Sequence, residues 1–260
     1  MKSKLLMSAV GGISDIYIEE AEPGKKAKTT RKTTSRSIKW AMPVAACLVL
    51  AVVAATTLPM LNGSRDFSFE QSQGVKVSYV DSPPNVSSMA QLLYLTEEEL
   101  FAPDWHGMEV VAFAGEVTKV ENISISFGSE WHNKSYRAIA TIEISEVFRG
   151  DLKVGDKVTV LLPAPVNGSI WVEDSSVSSQ MTVGTRGIFM PAKYNDESIW
   201  EENGNTLYLQ EIAEYGLLDG ERWAFLDKPS GVVFAQFAYE GIQDATTMDE
   251  IKNYVIDMIK

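Results

Sequence analysis

Cysteine is nearly absent from this chain: Cys47 is the single one among 260 residues. One thiol excludes a disulfide framework and any cysteine-rich metal cage. Histidine is almost as scarce, with His106 and His132 alone, which confines imidazole chemistry to two places. No stretch has the ligand order of an EF-hand, no glycine-rich loop is spaced to cradle phosphate, and no G-x-S-x-G elbow presents a serine nucleophile. No cofactor is expected on these grounds. Charge is missing altogether between Trp40 and Leu61, and beyond that gap basic residues are few.

The whole chain carries 23 Lys and Arg against 35 Asp and Glu, a net charge of −12, which argues against nucleic acid as a partner. The sum hides two opposite halves. Residues 1–39 hold nine basic and four acidic side chains, net +5, whereas residues 62–260 hold fourteen and thirty-one, net −17. Between them lies WAMPVAACLVLAVVAATTLPML, residues 40–61. Its 22 residues suffice to cross a hydrocarbon core of roughly 30 Å. A buried globular helix would carry some charge along one side, so the expectation is a single transmembrane helix. Pro43 and Pro59 sit near its ends, where a missing N–H is tolerated. Basic residues crowd Lys25 to Lys39, and only Arg65 follows closely. The positive-inside rule then puts the N-terminus in the cytoplasm and residues 62–260 outside, in a single-pass protein of the plasma membrane. Cleavage near Ala54–Thr57 is the processing alternative. Val44-Ala45-Ala46-Cys47 loosely spells a lipidation box, but the apolar run continues past Cys47.

In the cytoplasmic piece, residues 1–24, Leu6, Val10, Ile13 and Tyr17 fall at intervals of four, three and four, one stripe of a helix. Pro23-Gly24 stops it. So short a helix is marginal alone in water, so the stripe calls for a protein groove or the inner leaflet; chance periodicity in a flexible tail is the plain alternative. Residues 25–39 form a basic juxtamembrane linker, whose interleaved Ser and Thr offer sites for phosphate control of a clamp on anionic lipid. The element Ile13-Ser14-Asp15-Ile16-Tyr17-Ile18-Glu19-Glu20-Ala21, the basic stretch, and the Ala45-Ala46-Cys47-Leu48 span resemble a group of single-pass membrane proteins of gut Firmicutes. Some of these resemble anti-sigma factors. The resemblance implies a cytoplasmic partner, a sigma factor, held through Leu6, Val10, Ile13 and Tyr17.

Residues 62–88 read as an extracytoplasmic linker rich in Ser, Gly, Asn and Pro, interrupted by a short strand at Val75, Val77 and Tyr79. Residues 89–260 read as a mainly β domain. Thr96-x-x-Glu99 and Thr247-x-x-Glu250 are capping boxes, the second opening a terminal amphipathic helix. Strands are expected over 109–120, 136–147, 157–162, 168–173, 186–191, 206–211 and 232–238, with turn residues between nearly all of them. Within 136–147, Tyr136, Ala138, Ala140, Ile142 and Ile144 share one face, and Arg137, Thr141, Glu143 and Ser145 the other. The run from Gly115 to Pro191 resembles the small five-stranded barrels of OB-like and netrin-like modules. That resemblance implies an OB-like barrel with flanking helices, and leaves function open.

The two histidines lie in matching triplets, Asp104-Trp105-His106 and Glu130-Trp131-His132. In extended chain, residues i and i+2 share a face, so each triplet would offer a carboxylate beside an imidazole. Two such pairs could hold zinc or manganese; surface polar residues flanking anchoring tryptophans are the plain alternative. The acidic loop 195–205 could hold calcium, or be solvated. Arg149-Gly150-Asp151 is spelled like an adhesion tripeptide but is also ordinary turn chemistry. Two functions stand: a non-enzymatic binding or sensing protein, anti-sigma-like, with an external ligand the sequence does not name; or a membrane-tethered, metal-assisted hydrolase on Asp104, His106, Glu130 and His132. Both require the same topology. Protease added to intact cells should remove residues beyond 61 and spare residues 1–39; protection of the C-terminal part would overturn it.

Overall fold

The computed structural model describes residues 66–83, 92–128, 134–166 and 174–260, and the backbone alone at 87–88 and 171–172. The segments 1–24, 25–39 and 40–61 lie outside the described residues. Among the described residues no helix is long and apolar enough to cross a membrane.

The fold is mainly β, organised around one nine-stranded sheet. Its strands are β1 (Val75–Tyr79), β2 (Ala112–Phe127), β3 (Lys134–Arg149), β4 (Lys157–Leu162), β5 (Arg186–Phe189), β6 (Ala192–Lys193), β7 (Tyr215–Gly216), β8 (Ala224–Lys228) and β9 (Gly231–Val233). They run in the order β6-β7-β4-β3-β2-β5-β8-β9. Strand β1 shares with β5 the second edge of β2, pairing with its Ile123–Phe127 end while β5 takes Phe113–Glu116. Every pairing is antiparallel except β7 on β4. Three register shifts between Ala112 and Lys119 break the β2–β3 ladder. Such bulges bend and twist a strand, and the sheet is curled into a half-barrel.

Alternation along β3 places Ala138, Ala140, Ile142 and Ile144 in the larger core. There they meet Phe113, Phe189, Phe225 and Trp223, with Ile251 and Val255 of the terminal helix. Each large side chain buried here contributes roughly 1.5–3 kcal/mol. Helices α1 (Glu97–Leu100) and α2 (Met248–Met258) both start at complete capping boxes, on Thr96/Glu99 and Thr247/Glu250. Arg149, at the end of β3, donates to the carbonyls of Phe101, Ala102 and Val110, fixing the chain behind α1.

The folded unit begins earlier than residue 89. Strand β1 belongs to the main sheet, and Val77 is fully buried. It joins a second, smaller core with Ile123, Ile125, Phe127, Ile139, Leu161 and Trp200. Phe67 and Tyr79 stack at 4.8 Å over its edge. Serine and glycine gave residues 66–79 the look of a linker; the apolar residues alternating among them supply the burial. Strand β2 likewise continues seven residues beyond Val120. Asn122 does not interrupt it, because its amide exchanges hydrogen bonds with both backbone groups of Val166, at 2.8 and 2.9 Å. The segments after Tyr208 and Val233 leave strand geometry for short 3₁₀ turns. Of the strand expected over 168–173, Trp171–Val172 is described, paired parallel with Ser87–Ser88.

One carboxylate fastens the early segment. Glu211 accepts from the backbone N–H groups of Glu70, Gln71 and Ser72, and from the Ser72 hydroxyl. Burial works against its ionisation, but the hydrogen bonds from Ser72, Gln71 and Glu70 prevail and hold the carboxyl below its ordinary value. A depressed folded-state pKa means this stabilisation is complete above the unfolded value, about 4.3, and is lost as pH falls through the folded one. Glu211→Gln should therefore cost about 1–3 kcal/mol at pH 7, and much less once the wild-type carboxylate is protonated. Denaturant melts at neutral and acidic pH would check this; an equal cost at both would refute it.

Candidate functional site

Asp104-Trp105-His106 is not extended. Asp104–Trp105 pairs antiparallel with Met108–Glu109, leaving His106-Gly107 as a two-residue turn. Both turn residues have positive φ, 52° and 89°, the requirement of a type I′ hairpin. The Asp104 carboxylate accepts from Gly107 N at 3.0 Å, so it braces the turn instead of standing beside the imidazole. Trp105 anchors the hairpin edge-on to Trp223, at 5.7 Å. Glu130 and His132 lie outside the described residues. Among the described residues no group of three or more His, Cys, Asp or Glu is placed to share a metal ion.

The other sequence candidates are absorbed into the scaffold. Arg149 of the Arg-Gly-Asp tripeptide points inward onto three carbonyls. In the acidic loop, Asn195 accepts from Glu197 N and the Ser198 hydroxyl, and Gln210 donates to Asp196. Leu6, Val10, Ile13 and Tyr17 lie outside the described residues.

A groove absent from sequence-level expectation crosses the sheet beneath α2. It encloses about 630 Å³. Its floor includes Gly115 and Gly187, cross-strand partners on β2 and β5. A Cβ on Gly115 would lie 2.6 Å from the Glu143 carbonyl oxygen, and one on Gly187 2.3 Å from that of Phe225. Close backbone approach thus demands glycine at both positions and leaves the floor as bare main chain. The walls are charged and paired. Arg186 donates to Glu116 at 2.9 Å, and that bond holds Arg186 above its ordinary pKa. Two other lining residues pair with partners outside the groove: Glu143 with Lys157 at 3.3 Å, and Lys252 with Glu146 at 2.6 Å. Val154, 67 % exposed, stands at the rim. A recess of about 370 Å³ beside the start of α2 shares Asp227 and Met248 with the groove.

No histidine or cysteine is among the residues that line this groove; Thr118 and Ser145 line it together with Glu116, Glu143, Asp227, Arg186 and Lys252. Backbone groups and side chains of both charges are what it offers a ligand. The signal for it in the sequence is faint: two glycines inside strand patterns mark close backbone approach, but which strands are neighbours is a property of the fold.

No protein-family model matches the chain, and no curated protein matches it.

The turn geometry makes a direct forecast. His106→Asn creates the pair preferred in a type I′ turn and should leave thermal stability unchanged or raised. Gly107→Val forces a branched residue to φ 89° and should cost about 1–3 kcal/mol. Added zinc should shift the melting of wild type and His106→Asn equally; a zinc response confined to wild type would restore His106 as a ligand.

Proposed function

We propose that this chain is a non-enzymatic, membrane-anchored binding or sensing protein with an anti-sigma-like cytoplasmic segment. Residues 40–61 are its single transmembrane helix, with the N-terminus cytoplasmic and the β unit extracytoplasmic. The curled sheet is in this view a small OB-like barrel module that receives an external ligand. Leu6, Val10, Ile13 and Tyr17 hold a sigma factor on the inner side, and residues 25–39 lie against anionic lipid.

The observation that carries this proposal is the groove over Gly115 and Gly187. Its main-chain floor and the ion pairs at its sides suit holding a ligand, while Asp104 of the candidate metal pair accepts from Gly107 N in a turn. Its volume is within the range of small-ligand sites. The charge asymmetry about residues 40–61 supports the topology.

Four apolar side chains on the cytoplasmic stripe would bury a gross 6–12 kcal/mol, at roughly 1.5–3 each. Ordering the helix and docking it consume several of these. Ile13→Asp places a charge at the centre of the stripe. Full-length chain purified from membranes should retain a co-expressed extracytoplasmic-function sigma factor from the same cell, and Ile13→Asp should lose it with membrane insertion unchanged. Equal retention by both proteins, or retention by neither, would defeat the proposal.

A further inference from the structure

Among the described residues two arginines are buried, Arg137 and Arg222, and Arg149 is partly so; Arg149 and Arg222 are well supplied with acceptors. Arg222, 5 % exposed, pairs with Asp219 at 2.6 Å and donates to the Leu93 carbonyl at 2.7 Å. Arg149 serves three carbonyls. Arg137 is different. It stands on β3 opposite Ile123 of β2, on the face covered by the second core, and is 5 % exposed. Of the five N–H donors of a guanidinium, one finds an acceptor among the described residues: Nη1 donates to the adjacent Tyr136 carbonyl at 3.0 Å. Among the described residues no carboxylate pairs with it.

Its surroundings are ordered. The guanidinium carbon lies 5.4 Å from the centre of the Trp200 ring, and Trp200 is itself buried. Trp200 rides on the hairpin Ile199–Glu202/Asn205–Tyr208. Tyr194 packs against the same second core. Its hydroxyl occupies the place a Cβ on Gly216 would take, 1.9 Å away, and donates to none of the described residues. Burial pushes Arg137 down to about 10, with Tyr194 opposing, so it remains cationic at neutral pH. Burial pushes the Tyr194 phenol well up, so it remains a donor.

A buried charge without counter-charge is costly. We propose that Arg137, Trp200 and Tyr194 form a binding site for a small monocarboxylate. The guanidinium fork matches a carboxylate in two parallel hydrogen bonds, the indole holds the fork flat, and the Tyr194 hydroxyl is a third donor. One cation neutralises one negative charge; a phosphate dianion would leave an excess charge in a low-dielectric interior. Because Arg137 and Trp200 are more than nine-tenths buried, the ligand is small, and displacement of the hairpin bearing Trp200 exposes the guanidinium. The site is separate from the groove and needs no partner at residues 1–24.

The test is thermal melting of the purified full-length chain at pH 7 and constant ionic strength, with sodium acetate, phosphate or chloride. Wild type should gain stability saturably with acetate, and with phosphate no more than with chloride. Arg137→Met, which removes the uncompensated charge at similar length, should melt higher than wild type in chloride and lose the acetate response. Tyr194→Phe should keep the fold and raise the half-saturating acetate concentration about tenfold. This second variant decides the matter should Arg137→Met not fold. An acetate response absent from wild type, equal in Arg137→Met or unchanged in Tyr194→Phe would overturn the site. So would a folded Arg137→Met that melts lower than wild type in chloride.

Discussion

The pairing of two sixteen-residue strands, Ala112–Phe127 with Lys134–Arg149, is the constraint on which the rest of the fold depends. Their register sets which side chains meet which core. It puts Ile142 opposite Val117 in the larger core and Arg137 opposite Ile123 in the smaller one. It also sets Glu116 directly across from Glu143. Like charges so placed repel, and each glutamate is answered from the strand on its outer side: Arg186 on β5 for Glu116, Lys157 on β4 for Glu143. These ion pairs are substantially exposed, so each is worth little alone. Their value lies in permitting the register, and with it the groove that Gly115 and Gly187 floor.

The same ladder explains why one sheet serves two cores. A long strand with bulges near one end changes direction, so its two halves face different neighbours. Strand β2 meets β5 along its first half and β1 along its last five residues. The first half packs beneath α2 and the aromatic cluster of Phe225, Phe234 and Tyr239. The last part carries Ile123, Ile125 and Phe127 under the hairpin that bears Trp200. A slip of one residue would exchange buried and exposed faces throughout. It would also withdraw Arg149 from the carbonyls behind α1.

Much of this was legible in the sequence where the cause is local. Both capping boxes need only a hydroxyl and a carboxylate three residues apart, and both formed on Thr96/Glu99 and Thr247/Glu250. The strand Lys157–Leu162 and the alternation from Tyr136 to Ile144 follow from side-chain period alone. What stayed hidden depends on distant partners. Asn122 looks like a strand end until Val166 is beside it. Residues 66–79 look like a tether until Glu211, some 140 positions away, gathers their N–H groups. The matching Asp-Trp-His and Glu-Trp-His triplets suggested a metal pair because extended geometry was assumed; a glycine after His106 was the local sign that Asp104 would brace a hairpin instead. Arg137 read as the outward member of an alternating strand. Nothing within β3 says that a second core covers that face.

The early start of the β unit bears on where a ligand can meet it. Strand pairing begins at Asp66, which bridges to Ser78, and the uncharged segment ends at Leu61. Five chain steps of at most about 3.6 Å reach no more than roughly 18 Å. In the proposed topology this bounds only the separation along the chain between the end of the uncharged segment and Asp66. Glu211 fixes residues 70–72 beside the end of the Ile199–Tyr208 hairpin. That hairpin also covers Arg137. A small carboxylate bound between Arg137 and Trp200 would act on the hairpin that carries Trp200, while a ligand in the groove would act on α2 and β5. The two sites thus engage different elements: the Arg137 site the Ile199–Tyr208 hairpin, close in sequence to the Glu211 that binds residues 70–72, and the groove α2 and β5.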